Sequence, residues 1–450
     1  MNFSDLNKIY FIGIGGIGMS ALARYFLLHG MEVHGYDRTE TPLTRALAEE
    51  GMQVHYTDDV SYIPEGIDLV IYTPAVPGDH SELNWFLERG YPVRKRAEVL
   101  GIISKAKRCV ALAGTHGKTT TSTMTAWLMR ASGVDASAFL GGISGNFGSN
   151  FVEGRSEWVV VEADEYDRSF LQLYPEIAVI NSIDADHLDI YGSEEGVRDS
   201  YRSFATQVKE GGVLLLENHV DMEVPGALRF GTDKGDFRAV NIRAEDGFMV
   251  FDFQTDYPGL PAELPALKLP YPGLHNVRNA VAAIASALLA GGNPGEIAEA
   301  LREFRGAKRR FEVIARTEKT VYVDDYAHHP AELEATIAAA RLMYPGKKIT
   351  GIFQPHLFSR TRDFADAFAA ALDKLDSCLL LPIYPARELP MEGVTSEMLL
   401  EKMTLNSRQL VQKLDLLQVI GNSQPEILIT MGAGDIDTMV EPIKNLIKTS

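Results

Sequence analysis

Only two cysteines, Cys109 and Cys378, occur in the 450 residues. Each sits in an apolar run, CVALAG and CLLLP, and reads as a buried strand thiol. Two sulfurs so far apart exclude a disulfide framework or a thiolate zinc site. No apolar run reaches the ~20 residues that span a bilayer; the longest alanine-rich stretch, AVAAIASALLAGG, follows Arg278 and Asn279. The opening MNFSDLNKIYFIGIGG breaks into glycines with no cleavage-site pattern, so no signal peptide is read and a cytosolic location is expected. Basic residues are outnumbered, 43 against 61, leaving a net charge of -18. That excludes nonspecific binding to nucleic acid. An anionic small molecule stays open, because basic clusters at Lys308-Arg309-Arg310 and at Arg360 with Arg362 lie beside motifs. Low-complexity tracts and solenoid-period repeats are missing too.

What is present is a strand–turn–helix unit, repeated in three blocks. A single core rarely grows past ~250–300 residues, so two or three domains are expected. In KIYFIGIGGIGMSALARYFLLHG a strand ends near Ile12, glycines follow, and Met19, Leu22, Ala23, Phe26 and Leu27 recur at helical spacing until Gly30. EVHGYD and DLVIYTPAV read as further strands. The second block, CVALAGTHGKTTTSTMTAWLMRASG, repeats the plan, with WVVVEADE, IAVINSID and GGVLLLEN as buried strands. The stretch from about Gly226 to Pro272 reads as a small antiparallel elaboration, and GLHNVRNAVAAIASALLAGG as a helix. The third block begins near Val313, with Pro330 at a helix start and strands in KITGIFQPH, SCLLLPIY and EILITMGAGD. Such alternation implies parallel sheets covered by helices. Boundaries fall near 107 and 312.

Two glycine turns carry chemistry. Gly13, Gly15 and Gly18, with Gly16 between, form G-x-G-x-x-G after a strand, and Asp37 ends the next strand, near the offset of a dinucleotide site. A dehydrogenase fits that motif equally well. GTHGKTTT, Gly114 to Thr121, is more specific. Lys118 can bind β- and γ-phosphates, Thr119 can place its hydroxyl on Mg²⁺, and the turn's amides can cradle phosphate. The standard phosphate loop requires glycine at 112, where Leu112 stands, so the loop is a shortened variant.

Gly114-Thr115 followed by Gly117-Lys118-Thr119 resembles the ATP loop of the Mur ligases and folylpolyglutamate synthases. EADEYDRSF, DADHLDIYG, GLHNVRNAVAA, KRRFE, DDYAHHP, QPHLFSRT and GAGDI follow in the Mur ligase order, and with GIGGIGMS the pattern is most similar to the alanine-adding branch. The resemblance implies three α/β domains: a Rossmann-like sugar-nucleotide domain (1–107), a P-loop ATPase-like central domain (108–312) and a Rossmann-like amino-acid domain (313–450). It implies ATP- and Mg²⁺-dependent joining of L-alanine to the carboxylate of UDP-N-acetylmuramate through an acyl phosphate, in the bacterial cytoplasm, without nucleic acid or membrane partners. Gly114, Thr115, His116, Gly117, Lys118, Thr119 and Thr120 would form the ATP loop. Glu162 and His187 would join Thr119 in holding magnesium, an unusual task for imidazole. His275 and Asn279, four apart on one helix face, would face the nucleotide, with Arg310 on phosphate and Asp325 on ribose. Gly13, Gly15, Gly16, Gly18 and Asp37 would hold the sugar nucleotide. Tyr326, His328, His356 and Arg360 would face the amino acid. The residue after His356 is often arginine in the family and is Leu357 here, which leaves Arg360 as the carboxylate clamp. Two rivals stand beside this expectation: a recycling ligase that attaches a preformed peptide to the same sugar nucleotide, and a nicotinamide-dependent oxidoreductase. Oligomeric state and the base for the alanine amine are not legible.

Overall fold

The first block of the computed structural model, which describes residues 3–184, 188–386 and 388–449, is a sheet of β1 (Lys8–Ile12), β2 (Glu32–Tyr36), β3 (Gln53–His55), β4 (Leu69–Tyr72) and β5 (Val93–Lys95). Its order is β3-β2-β1-β4-β5 and every pairing is parallel. Ile9, Tyr10, Phe11 and Ile12 are fully buried, as expected of a strand covered on both faces. Strand order reverses between β1 and β4, so the glycine turn after β1 opens at the switch point where such sheets take ligands. The helix Ile17–Leu28 follows and buries Met19, Leu22, Ala23 and Phe26.

The second sheet contains β6 (Arg108–Ala113), β7 (Ser137–Phe139), β8 (Phe151–Val152), β9 (Trp158–Glu162), β10 (Ile177–Ile180), β11 (Val213–Glu217), β12 (Leu228–Thr232), β13 (Phe237–Glu245), β14 (Phe248–Thr255) and β15 (Glu263–Leu269). The order is β15-β14-β13-β12-β11-β10-β6-β9-β7-β8. The expected elaboration after Gly226 is corrected here. Its strands extend this sheet, and β12 pairs in parallel with both β11 and β13. Alternating hydrophobicity identifies a half-buried strand but not its partner or direction, so the sequence could not assign them. Cys109, in β6, is buried and free of any disulfide.

The third sheet runs β16-β17-β21-β18-β19-β20, from β16 (Glu312–Arg316), β17 (Val321–Asp325), β18 (Ile349–Phe353), β19 (Ser377–Leu380), β20 (Arg408–Leu410) and β21 (Ile427–Met431). β16 is antiparallel to β17 and the other pairings are parallel. Cys378, in β19, is likewise buried and unpaired. Pro330 occupies the first turn of the helix Pro330–Met343, capped by His329 with Glu332 completing the box.

Two compact units result. One comprises Met1–Asn241, Phe251–Leu267 and Arg278–Arg305; the other comprises Ile242–Val250, Lys268–Val277 and Gly306–Ser450. Within the first, the helix Ile17–Leu28 shares a core with the second sheet, where Tyr25 packs on Phe139 and Phe151 at ring distances of 5.6 and 6.0 Å. Among the described residues no helix is long and apolar enough to cross a membrane.

Candidate active site

Strand β6 delivers the chain into the turn Gly114–Gly117, and the helix Lys118–Ala131 leaves it. Gly117 caps that helix with φ +81°, and a Cβ there would lie 2.7 Å from Asn279 Oδ1 and 3.0 Å from Asn181 Nδ2. Backbone conformation and close approach therefore both call for glycine. The turn is fastened to the segment after β10. Thr115 N–H donates to Ser182 O, the Thr115 hydroxyl donates to Asp184 O at 2.8 Å, and His116 N–H donates to Ser182 Oγ at 2.9 Å. The His116 ring approaches Asp184 at 3.4 Å. Thr120 is buried in the first turn of the helix.

Lys118 curls back over the turn. Its Nζ donates to Gly114 O at 2.7 Å, Thr115 O at 3.2 Å and Glu165 Oε1 at 2.8 Å. Burial acts to lower the ammonium pKa, but the carboxylates of Glu165, Asp164 and Glu162 outweigh it and hold it above its ordinary value. Thr119 Oγ1 donates to Glu162 Oε1 at 3.0 Å, while Ser122 Oγ and the Gly141 N–H meet Glu162 Oε2 at 3.2 and 2.9 Å. Glu162 thus stands beside the threonine that the loop motif singled out. Hard oxygen donors of this kind suit magnesium, which usually keeps waters and substrate phosphates as its other ligands. Among the described residues no group of three or more His, Cys, Asp and Glu side chains is placed to hold a metal ion. His187 lies outside the described residues.

The loop after β1 is organised differently. Gly13 and Ile14 both donate their amides to Tyr36 O, Gly16 donates to Gly13 O, and Gly15 donates to Asp37 Oδ2 at 2.8 Å. Asp37 therefore braces the loop it was expected to serve as a ligand contact. A Cβ at Gly18 would come within 2.8 Å of Arg96 Nη1, so the third glycine makes room for a guanidinium. Arg96 reaches on to Asp164 at 3.7 Å, and its neighbour Lys95 pairs with Asp167 at 2.8 Å. Asp167 and Arg168 are both left-handed, with φ of 53° and 55°. Such strain is held only where surrounding contacts fix it, and the Lys95 bridge is one of these.

In the second unit, Asp325 ends β17 and is buried. Its carboxylate accepts from Phe311 N–H and Ala327 N–H, both at 2.7 Å. Burial raises its pKa to about 6, against the pull of Arg310. Arg309 and Phe311 flank Arg310 with φ of 60° and 47°, and the Arg310 guanidinium lies 5.1 Å from the Tyr326 ring centre. His328 stands edge-on to Tyr326 and 6.1 Å from the His356 ring. Burial depresses the His328 pKa. Arg360 Nη1 approaches His356 Nδ1 at 3.4 Å, and the Tyr384 ring stacks on His356. Tyr326, His328, His356 and Arg360 are thus gathered together. Leu357 has φ +72°, a value rare for a branched side chain, and begins the helix Phe358–Asp363 that carries Arg360. His275 is half-buried in the first turn of the helix Leu274–Leu289, where its ring would meet a Cβ on Gly273. Asn279 is buried one turn on.

Sequence reasoning missed Glu165, Ser122, Asn181, Arg96 and Glu332. Glu165 had a signal, standing three residues after Glu162 in EADE. Glu332 had one too, as the third residue after His329 in a capping box, where it accepts from His328 N–H at 3.0 Å. Arg96 had none, because its partner Gly18 is distant in the chain.

Family models match most of the length: the Mur ligase catalytic domain over residues 8–108, the Mur ligase middle domain over 112–287, and the Mur ligase glutamate ligase domain over 309–434. The chain belongs to the Mur ligase family. It is 48% identical over 460 residues to a UDP-N-acetylmuramate–L-alanine ligase of Cytophaga hutchinsonii, covering 99% of this chain and 98% of that one. Among solved structures, the UDP-N-acetylmuramate-alanine ligase of Thermotoga maritima superposes with a TM-score of 0.85 at 29% identity, covering 98% and 99% of the two chains. A murein peptide ligase from Psychrobacter arcticus shares the fold, with a TM-score of 0.73 at 23% identity over 99% of each chain.

Proposed function

We propose that this Mur ligase joins L-alanine to the carboxylate of UDP-N-acetylmuramate in peptidoglycan precursor synthesis, with conversion of ATP to ADP and phosphate, in the bacterial cytoplasm. The observation that carries the chemistry is the grouping at the second glycine turn. A lysine held protonated by Glu165 and a threonine hydroxyl held by Glu162 concentrate charge where a γ-phosphate would sit. The full-length similarity to the alanine ligases of Cytophaga hutchinsonii and Thermotoga maritima supports the choice of substrates.

A carboxylate is a poor electrophile and needs a leaving group before an amine can attack it. Attack of the muramyl carboxylate on the γ-phosphorus breaks the bond to ADP and gives an acyl phosphate. The alanine amine then displaces phosphate and forms the amide, losing a proton. Two anions must meet in the first step, so Lys118 balances their charge. Bound Mg²⁺ would supply further charge compensation, held by Thr119 and Glu162, with His187 as a further candidate ligand. In this reading residues 1–107 bind the sugar nucleotide, 108–312 bind ATP and 313–450 bind alanine. His275, Asn279, Arg310 and Asp325 serve the nucleotide. Arg360 clamps the alanine carboxylate, beside Tyr326, His328 and His356.

Phosphate release with UDP-N-acetylmuramate across a panel of amino acids tests the proposal. L-Alanine should lead, with serine and glycine weaker, since one small group in a pocket is worth only ~1–3 kcal/mol. A tripeptide used far better than alanine would overturn it in favour of a recycling ligase. With heavy oxygen in the muramyl carboxylate, one labelled atom should leave in inorganic phosphate. Label in AMP would refute the acyl phosphate.

A further inference from the structure

The loop after β1 poses an electrostatic problem. A diphosphate in such a turn is ordinarily held by backbone amides. Here the amides of Gly13, Ile14, Gly15 and Gly16 already donate to Tyr36 O, Asp37 Oδ2 and Gly13 O. Only the amides of Ile17, Gly18 and Met19, in the first turn of the helix Ile17–Leu28, have no acceptor within that helix, and one side chain lies in place to add positive charge beside them. Arg96, at the start of the helix Arg96–Ala106, rests on Gly18 so closely that any side chain there would collide with its guanidinium. The arginine side chain is only 17% exposed. Its acidic neighbour, Asp164, is 3.7 Å away, beyond hydrogen-bond range, while a guanidinium carries five donors in a fork suited to phosphate oxygens.

We propose that Arg96 binds the diphosphate of the sugar nucleotide at the Gly13–Gly18 turn, exchanging its loose pairing with Asp164 for charge-assisted hydrogen bonds to phosphate oxygens. The proposal rests on the sugar-nucleotide reading given above. It also gives the third glycine of the motif a purpose, because Gly18 admits the arginine. Asp164 belongs to the acidic turn whose Glu165 holds Lys118, so one guanidinium spans the sugar-nucleotide turn and the turn that supports the ATP loop.

Calorimetric titration of the full chain with UDP-N-acetylmuramate, and separately with UDP, tests this in wild type, Arg96→Ala, Arg96→Lys and Asp164→Asn. Arg96→Ala should weaken both ligands by about 10–100-fold, the loss expected for hydrogen bonds to a charged group. Arg96→Lys should recover part of the affinity, and Asp164→Asn should bind as tightly as wild type or tighter. Thermal melting checks that each variant is folded, and Arg96→Lys keeps the test alive if the alanine variant is not. Unchanged affinity in a folded Arg96→Ala or Arg96→Lys chain overturns the proposal and leaves the ligase reading standing. Affinity lost equally in Asp164→Asn also overturns it, because the arginine would then act through the acidic turn. A chain that binds UDP through Arg96 but never ligates alanine keeps this proposal while the ligase reading fails.

Discussion

The turn after β1 and the turn after β6 each join a buried parallel strand to a helix through glycines, yet they handle charge in opposite ways. The second turn carries its own cation. Lys118 begins the helix, folds over the turn, and is matched by Glu165 from the strand end nearby. The first turn carries no charged side chain, has four successive amides engaged internally, and has Arg96 laid over Gly18 from another helix. A self-contained turn can be read from one stretch of sequence. A turn completed from outside cannot, and this explains why GTHGKTTT is specific whereas G-x-G-x-x-G fits several ligand classes.

The largest expected effect lies at the self-contained turn. Lys118→Ala should cut ligation by at least ~10²–10³, the usual cost of losing one preorganised charge contact at a transition state. The chain should still fold, because burial already raises the Glu165 pKa and the carboxyl can take up a proton once its partner is gone. Steady-state phosphate release on the folded variant is the measurement. Near wild-type turnover would erase the contrast between the turns.

The next test compares the two carboxylates that close turns, Asp37 at a half-exposed loop and Asp325 in the buried turn of the second unit. With Asp325 raised from 3.8 to about 6, the folded chain holds a proton between pH ~4 and ~6 that the unfolded chain has released. Stability contributed at this site therefore falls as pH rises through that window and levels off above it, by about 3 kcal/mol at most. Urea midpoints for wild type and Asp325→Asn should draw together, or cross, as pH rises from 4 to 7. A gap that widens with pH would mean that Arg310 and the two amides outweigh burial at this carboxylate.

The smallest effect belongs to Gly18→Ala. The new methyl meets the end of a flexible side chain, so Arg96 can swing aside at a cost of ~1 kcal/mol, near the lower end of overpacking penalties. UDP affinity should fall several-fold while the ATP KM holds. Equal shifts in both constants would mean that the two turns are not served by separate charges.

Much of the site was legible because its residues lie at strand ends and helix starts. Lys118, Thr119 and Glu162 were recognisable from loop chemistry and a carboxylate closing WVVVE, and Thr119 does meet Glu162. Tyr326, His328, His356 and Arg360 were named from ordered motifs, and the third sheet brings them together because β17 and β18 flank β21 and end on the same edge. The extension of the central sheet after Gly226 was not legible, since alternation fixes a strand's faces and leaves its partner open.

By itself, the sequence determined the three strand–turn–helix blocks, the position of each glycine turn and the lysine of the second, because these depend on local periodicity and backbone conformation. Only the tertiary structure decided that Glu165 rather than Glu162 holds Lys118, that Asp37 braces its own loop, and that an arginine 78 positions beyond Gly18 covers that glycine. The physical reason is common to all three. Hydrogen bonds and ion pairs are settled by distances of a few ångströms in space, and residues far apart in the chain acquire those distances only when the sheets pack.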